Sequence, residues 1–251
     1  MSKIALVTGG SRGLGKDEAI QLAHKGFDVV ITYQSQKDDA EAVVAEIQAI
    51  GQKAAAISLD ISNTSNFDAF IIEFQGVLKT AFGADSFDAL INNAGVGHYS
   101  AYTETTEADF DKMVNIHLKA PYFLTQKLLP LMNDGGSILN TSSGLARFSY
   151  PGSSAYAIMK SAIDTLTRYQ AEELGSRKIR ANSIAPGAIA TDFGGGNVRD
   201  NVALNQAIAS RTALGRVGLA DDIGSVAAFL CSDDAKWING QRIEVSGGIH
   251  N

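Results

Sequence analysis

Short apolar, β-branched runs alternate along the chain with longer stretches in which apolar positions recur every three or four residues. Ile4 to Thr8, Val29 to Tyr33, Ala54 to Ser58, Ala89 to Asn92, Ser137 to Thr141 and Ile179 to Ile184 read as buried strands, and Gln241 to Val245 adds a last one. The amphipathic stretches between them predict helices over Gly13 to His24, Asp38 to Ile50, Asn66 to Phe82, Glu107 to Met132, Ser154 to Gly175 and Asp221 to Ser232. Strands joined through helices of this length need right-handed crossovers, which place helices on both faces of a parallel sheet. The expectation is an α/β chain with a single doubly wound parallel sheet. The alternation runs to the last residues without a linker, repeat or low-complexity tract, so residues 1–251 are expected to form one domain. Its loosest segment is Ile189 to Asn205, around Gly194-Gly195-Gly196.

Composition then narrows the function. Hydrophobic residues at 45% and charged residues at 19% suit a folded globular chain and exclude disorder or collagen. No apolar stretch approaches the roughly 20 residues of a membrane helix. Met1-Ser2-Lys3 runs straight into the first apolar run, so no secretory leader is expected, and a single cysteine, Cys231, cannot form an internal disulfide; the cytoplasm is the expected compartment. A net charge of −6 without a basic patch argues against nucleic acid and anionic lipid as partners. No metal site is expected. Glycine is in excess, with 25 among 251 residues, where about 7% is ordinary.

Part of that excess sits where it can bind a phosphate. The first strand ends in Thr8-Gly9-Gly10-Ser11-Arg12-Gly13-Leu14-Gly15 and a helix begins at once. In that setting Gly9 permits a tight turn, Gly13 lets backbone N–H groups approach a pyrophosphate, and Gly15 allows close packing of helix on strand, while the helix dipole favours the anion. The plainer alternative is an ordinary glycine-rich strand-to-helix turn.

Thr-Gly, three residues, Gly, one residue, Gly is also the glycine pattern of the short-chain dehydrogenase/reductase family, and the chain resembles that family from this turn onward. Asp60 follows the third strand, Asn92-Asn93-Ala94-Gly95 the fourth, Asn115 sits in the next long helix, Ser143 precedes Tyr156 by thirteen, Tyr156 and Lys160 form Tyr-x-x-x-Lys, and Pro186-Gly187 with Thr191 follows the sixth strand. No single motif is specific; the ordered set is, and it covers essentially the whole chain. The resemblance implies seven strands in the order 3-2-1-4-5-6-7. It also implies a dinucleotide held by Gly9, Ser11, Arg12, Gly13, Leu14 and Gly15, by Tyr33, Gln34 and Ser35, by Asp60 and Ile61, by Asn93, Ala94 and Gly95, by Tyr156 and Lys160, and by Pro186, Gly187, Ile189 and Thr191.

Where the family places an acidic residue for the ribose 2′-hydroxyl of NAD, this chain has the neutral Tyr33-Gln34-Ser35-Gln36. A 2′-phosphate would meet no carboxylate there, and Arg12, with Ser35 or Lys37, can donate hydrogen bonds to it. NADP(H) is therefore expected over NAD(H).

Tyr156 and Lys160, four apart on a predicted helix, share a face and can act together. A phenol with a pKa near 10 exchanges protons poorly at neutral pH; lowering it by about 3 units takes roughly 4 kcal/mol, for which an adjacent ammonium has the right sign. The resemblance implies Tyr156 as general acid in carbonyl reduction, Ser143 as donor to the substrate oxygen, Lys160 as ribose ligand and tuner of Tyr156, and Asn115 as holder of a relay water. Ser142 is Ser143's neighbour, and the thirteen-residue spacing alone chooses between them. Each residue has an ordinary reading by itself: a half-buried aromatic, a turn hydroxyl, a surface lysine, a helix amide. Four such coincidences in order behind a nucleotide turn are not expected.

The rim above the strand ends is largely apolar, with Val96 to Tyr99, Gly144 to Tyr150 and Ala188 to Phe193 as walls by resemblance and the triglycine segment as a mobile lid over about 189–205. A small hydrophobic ketone or aldehyde fits better than a charged sugar, although Arg147 offers a carboxylate partner. The nearest subgroup in pattern is the 3-oxoacyl carrier-protein reductases, which hold their acidic partner by two basic positions beside the site; Arg177 matches one, and Asp134 stands at the other. A carbonyl reductase of small ketones is favoured over that activity, over a non-redox epimerase or dehydratase on the same fold, and over an idle nucleotide-binding regulator. A homotetramer through Glu107 to Met132 and Ser154 to Gly175 is implied by resemblance. Asp17-Glu18 departs from the family's small or apolar residues, and Glu18 shares a face with Leu14 and Leu22, where burial would be costly.

Overall fold

The computed structural model describes residues 2–249. Seven parallel strands, β1 (Ile4–Val7), β2 (Asp28–Tyr33), β3 (Ala54–Ser58), β4 (Phe87–Asn92), β5 (Met132–Thr141), β6 (Arg180–Pro186) and β7 (Arg242–Val245), form one sheet in the order β3-β2-β1-β4-β5-β6-β7. This is the order the family resemblance implied. β1 pairs with β2 on one side and with β4 on the other, so the chain reverses its winding there and opens a crevice at the carboxyl ends of the strands.

The two-residue period of a strand divides the core. Ala5 and Val7 pack with α1 (Gly13–His24), α2 (Lys37–Ile50) and α9 (Ala220–Cys231), whereas Ile4 and Leu6 pack on the opposite face with Phe67, Phe70 and Phe74 of α3 (Phe67–Val77) and Leu124 and Leu128 of α5 (Ala120–Leu128). Phe74 meets Phe87 edge-on at 5.2 Å, both fully buried, and a buried phenylalanine stabilises by roughly 2–3 kcal/mol through area alone. Between the layers, Asn92 Nδ2 donates to Asn140 Oδ1 at 2.9 Å and to Thr125, and Asn140 Nδ2 donates to Thr167 and Gln170 of α6 (Ser154–Glu173), so these buried amides satisfy one another beneath the crevice.

The long helix expected over Glu107 to Met132 is broken. α4 (Glu107–Val114) passes into a single π-turn, Asn115–Lys119, before α5, and Met132 already belongs to β5. Pro121 supplies the cause: it has no N–H for the carbonyl four residues back and its ring would strike that carbonyl, so Ala120 N bonds instead to Asn115 O, five residues away. Two short helices not foreseen, α7 (Asn197–Asp200) and α8 (Val202–Ala209), occupy about half of the loosest segment, and α8 runs on beyond it. α1 and α9 approach so closely that a Cβ on Gly224 would lie 2.0 Å from an oxygen of Asp17. Glu18 is fully buried in that layer, and neither of its carboxyl oxygens has a hydrogen-bond partner among the described residues. Burial, then the charge of Asp17, pushes its carboxyl up to about 8, against a smaller opposing pull from Lys160. No described helix is long and apolar enough to cross a membrane.

Candidate active site

The glycine turn closes over the end of β1. Gly9 has φ 67°, a conformation that glycine adopts without strain, and a Cβ at Gly15 would stand 2.3 Å from the Gly9 carbonyl oxygen. The Thr8 hydroxyl accepts from Asn93 N and Ala94 N, each at 3.0 Å, and Asn93 Nδ2 donates to Thr8 O, so Asn93 to Gly95 are stitched to the turn. Arg12 is extended at the head of α1 and gives it no side-chain cap, and no acidic residue stands in the first helical turn. The helix therefore presents its orphan N–H groups to an anion across Ser11 to Leu14. Tyr33 ends the adjacent β2 and Gln34 and Ser35 follow it, with Gln34, Ser35 and Arg12 exposed. Asp60 Oδ1 accepts from the backbone and hydroxyl of Ser62 at 2.9 and 2.7 Å, a local turn that also holds Ile61. On the far side Pro186 ends β6, Gly187 lies where a Cβ would meet Ser246 at 2.9 Å, Ile189 bridges to Gly218, and the buried Thr191 accepts from Phe193 N. These segments follow the carboxyl ends of β1, β2, β3, β4 and β6, on the crevice side of the sheet.

The end of β5 and the first turns of α6 bring Ser143, Tyr156 and Lys160 together. The Ser143 hydroxyl accepts from Leu145 N at 3.2 Å and stands close enough to Tyr156 to favour its phenolate, whereas the Ser142 hydroxyl donates to the Lys160 carbonyl at 3.4 Å. The neighbouring hydroxyls thus have different partners, Ser142 facing the Lys160 backbone and Ser143 its own turn and Tyr156. Lys160 Nζ donates to Thr141 O at 2.6 Å and lies 5.5 Å from the Tyr156 ring centroid. The electrostatics differ from the simple expectation of a lowered phenol. Burial, then Tyr99, pushes Tyr156 well above the usual phenol range, against the smaller opposing effect of Ser143. Burial brings Lys160 down to about 8, while Asp164 and Glu18 oppose the fall. Without cofactor, Tyr156 is therefore a neutral O–H, the form that donates a proton.

At the fourth position the π-turn brings to the tyrosine a residue that the spacing did not name. His117, not Asn115, packs against Tyr156, edge-on with ring centroids 5.1 Å apart. Side chains two positions apart in a helical turn diverge, so the turn that aims His117 at the tyrosine aims Asn115 elsewhere. His117 is buried and its Nε2 lies 2.8 Å from Val96 O, leaving Nδ1 without a partner among the described residues. Burial, then Lys160, lowers its pKa to about 3, so the ring is neutral. The sequence signal was present in Pro121, which places the irregular turn, but an uninterrupted helical reading hides it.

Phe193 tilts over Tyr156 with centroids 5.9 Å apart, and Tyr99 lies within 3.4 Å of the Cβ positions of both Gly97 and Gly194. Tyr99, Tyr150 and Phe193 are exposed around the opening. Arg147 is not held ready for a substrate carboxylate: its Nε pairs with Glu244 at 3.1 Å. Arg177 is likewise corrected. It pairs with Asp134 at 2.8 Å and bonds Leu129 O and Met132 O, at the amino-terminal ends of β5 and β6. That is the sheet edge opposite the crevice, so neither residue lies beside the proton-transfer group.

A profile of the family described as enoyl-(acyl carrier protein) reductase matches residues 9–250. The 3-oxoacyl-(acyl-carrier-protein) reductase of Staphylococcus aureus strain Mu50 is 37% identical over 252 residues, covering 100% of this chain and 99% of the relative. The chain belongs to the short-chain dehydrogenase/reductase family. A hydroxynaphthalene reductase-like protein of Metarhizium brunneum is 37% identical over 257 residues, covering 98% of this chain and 94% of that protein. The solved structure of an angucycline C-6 ketoreductase with bound NADP superposes with a TM-score of 0.93 at 36% identity, covering 98% of this chain and 95% of that one. This family member is an NAD(P)-dependent oxidoreductase of carbonyl groups, as the ordered motifs implied.

Proposed function

We propose that the protein reduces small hydrophobic ketones or aldehydes with NADPH, and that Ser143, Tyr156 and Lys160 carry the proton transfer with His117 in the position expected of Asn115. The observation that carries this reading is the convergence of Lys160 Nζ, 5.5 Å from the Tyr156 ring, and of Ser143, close enough to act on the phenol, after the end of β5. A reduced nicotinamide bound there supplies the hydride. Ser143 and Tyr156 hold the carbonyl oxygen, Tyr156 Oη–H gives it a proton as negative charge develops, and Lys160 stabilises the phenolate left behind. Arg12, Ser11, Tyr33, Gln34 and Ser35 are the groups proposed around the adenosine 2′-phosphate, Asp60 and Ile61 at the adenine, Asn93 to Gly95 and Lys160 at the ribose, and Pro186, Gly187, Ile189 and Thr191 at the nicotinamide. The ketoreductase with bound NADP supports that cofactor here. The segment over 189–205, which carries Phe193 onto Tyr156, is proposed as the substrate lid.

Steady-state rates over a panel of ketones with both reduced cofactors test the reading. NADPH oxidation dependent on an apolar ketone is expected; a tenfold or greater preference for NADH overturns the cofactor assignment, and no net oxidation with any carbonyl favours an isomerising reaction. A carrier-protein substrate is the second reading, kept by the relative's printed activity and opposed by the net charge of −6. We also propose a homotetramer through α4, α5 and α6, whose Phe110, Tyr122, Phe123 and Tyr169 are exposed, and a cytoplasmic location suited to the buried, free Cys231. A monomer mass by light scattering contradicts the first, and a secreted fraction the second.

A further inference from the structure

Behind the proton-transfer group runs a chain of charges that the proposed reaction does not use directly. Arg242, on β7, sits two strands from Ser143. Its Nη2 donates to Ser143 O at 2.9 Å, its Nη1 and Nη2 meet both carboxylate oxygens of Glu244 at 2.8 and 3.1 Å, and its Nε lies 2.9 Å from Asp164 Oδ2. Asp164 Oδ1 accepts from the Ser183 hydroxyl at 2.9 Å. Glu244 continues outward to Arg147 on the substrate wall. The side chains of Arg242 and Asp164 are only 21% and 11% exposed, so the ion pair is shielded from solvent, although the buried Nε–H is not aligned for a hydrogen bond and the contact is one of charge.

We propose that Arg242 and Asp164 form a positioning pair for this site, in which Arg242 fixes the backbone of Ser143 while Asp164, held by Arg242 one helical turn beyond Lys160, places a carboxylate on the face of α6 that carries that buried lysine. Two geometric facts support the two halves. Ser143 is extended, with φ −161° and ψ 151°, its carbonyl accepts from both Arg242 and Ala146 N, and its hydroxyl accepts from Leu145 N in the same turn, so β7 anchors the backbone of the turn that aims the hydroxyl. Asp164 and Lys160 are four apart on α6 and share a face. The other titratable groups acting around Lys160 are Tyr156 on its own helix, Glu18 on α1 and His117 on the π-turn. Asp164 is the largest influence opposing the loss of the lysine's proton on burial.

This inference rests on the proposed roles of Ser143 and Lys160, but its central readout needs neither substrate nor cofactor. Lysine labelled with 13C at Cε, with the Lys160 signal identified by its disappearance in Lys160→Arg, reports the titration of Lys160 in the free protein. Asp164→Asn is expected to move its midpoint down. Arg242→Gln, which leaves Asp164 without its cation, is expected to move it up. Arg242→Lys keeps the cation but cannot reach Glu244, Asp164 and Ser143 O at once, so the midpoint stays near that of the parent while kcat falls by about tenfold with the cofactor KM within twofold, the mark of misplaced reacting groups. Midpoints that stay fixed, or shift in the same direction, in the folded Asn and Gln variants overturn the assignment. So does an Arg242→Lys kcat within twofold of the parent. Should Arg242→Gln fail to give a cooperative melt, Asp164→Asn and Arg242→Lys decide the question between them. Loss of the proposed reductase reading, by contrast, appears as Tyr156→Phe retaining full turnover and leaves the titration unaffected.

Discussion

Glu18 is the residue whose environment contradicts its chemistry most plainly. Its carboxyl is fully buried in the α1–α9 layer, has no hydrogen-bond partner among the described residues and is pushed up to about 8 from an ordinary 4.5. The native state therefore holds a proton that the unfolded chain releases above about pH 4.5. Where the folded protein binds more protons, stability falls as pH rises, so the loss accumulates between about pH 4.5 and 8 and reaches on the order of 5 kcal/mol from this group. Glu18→Leu, similar in size and apolar, is expected to raise the melting temperature above that of the parent, with the gap widening from pH 5 to pH 8. Calorimetry at the two pH values checks it; a gap independent of pH contradicts the buried, protonated carboxyl. The sequence foresaw the cost, because Glu18 shares the Leu14–Leu22 face, and the structure shows that it is incurred. The structure gives Asp17-Glu18 no functional role.

At the scale of elements, what could be read beforehand was what is periodic. β3 and α1 match their expected bounds, and the other strands and helices follow a two- or three-to-four-residue pattern that survives because each packs on both or one side of a single sheet. The misses are where backbone bonding departs from a regular repeat. Pro121 and the Asn115–Lys119 π-turn changed which side chain meets Tyr156, since one extra residue in a helical turn rotates all that follows by most of a residue step. α7 and α8 were hidden by their glycine-rich approach, Gly194 to Gly196, whose positive φ values bend the chain into a compact turn rather than leave it open. The site set Ser143, Tyr156 and Lys160 was legible because its spacing lies within regular elements, while Arg242, which reaches Ser143 across 99 residues of sequence, had no local signal at all. The π-turn yields its own prediction. His117→Ala should lower kcat by about tenfold or more, because Tyr156 loses its edge-on neighbour and Val96 its anchor, whereas Asn115→Ala should stay within about threefold. The reverse ranking would restore Asn115 to the site.

The whole molecule explains why the two kinds of chemistry meet. A parallel sheet directs every strand's carboxyl end to one edge, and reversal of the winding between β1 and β4 opens that edge into a crevice. The glycine turn follows β1, Asn93 to Gly95 follow β4, Ser143 follows β5 and Gly187 follows β6, so groups far apart in sequence converge on one cofactor-sized surface. Arg177 and Asp134, equally conspicuous in the sequence, are carried to the opposite edge by the same topology. The glycine excess has a partial explanation in the same terms, through the Gly9 turn and the close packing at Gly15.

In the proposed reaction Tyr156 delivers the proton, while the glycine turn and the loops after β2, β3, β4 and β6 supply most of the cofactor's binding. The most direct test compares NADPH oxidation by parent and Tyr156→Phe with one apolar ketone, alongside NADPH affinity from the cofactor's fluorescence. The expected result is a fall in kcat of at least about a thousandfold with the dissociation constant changed by less than about threefold. Turnover by Tyr156→Phe at a rate near that of the parent, with the cofactor bound equally well, would contradict the account.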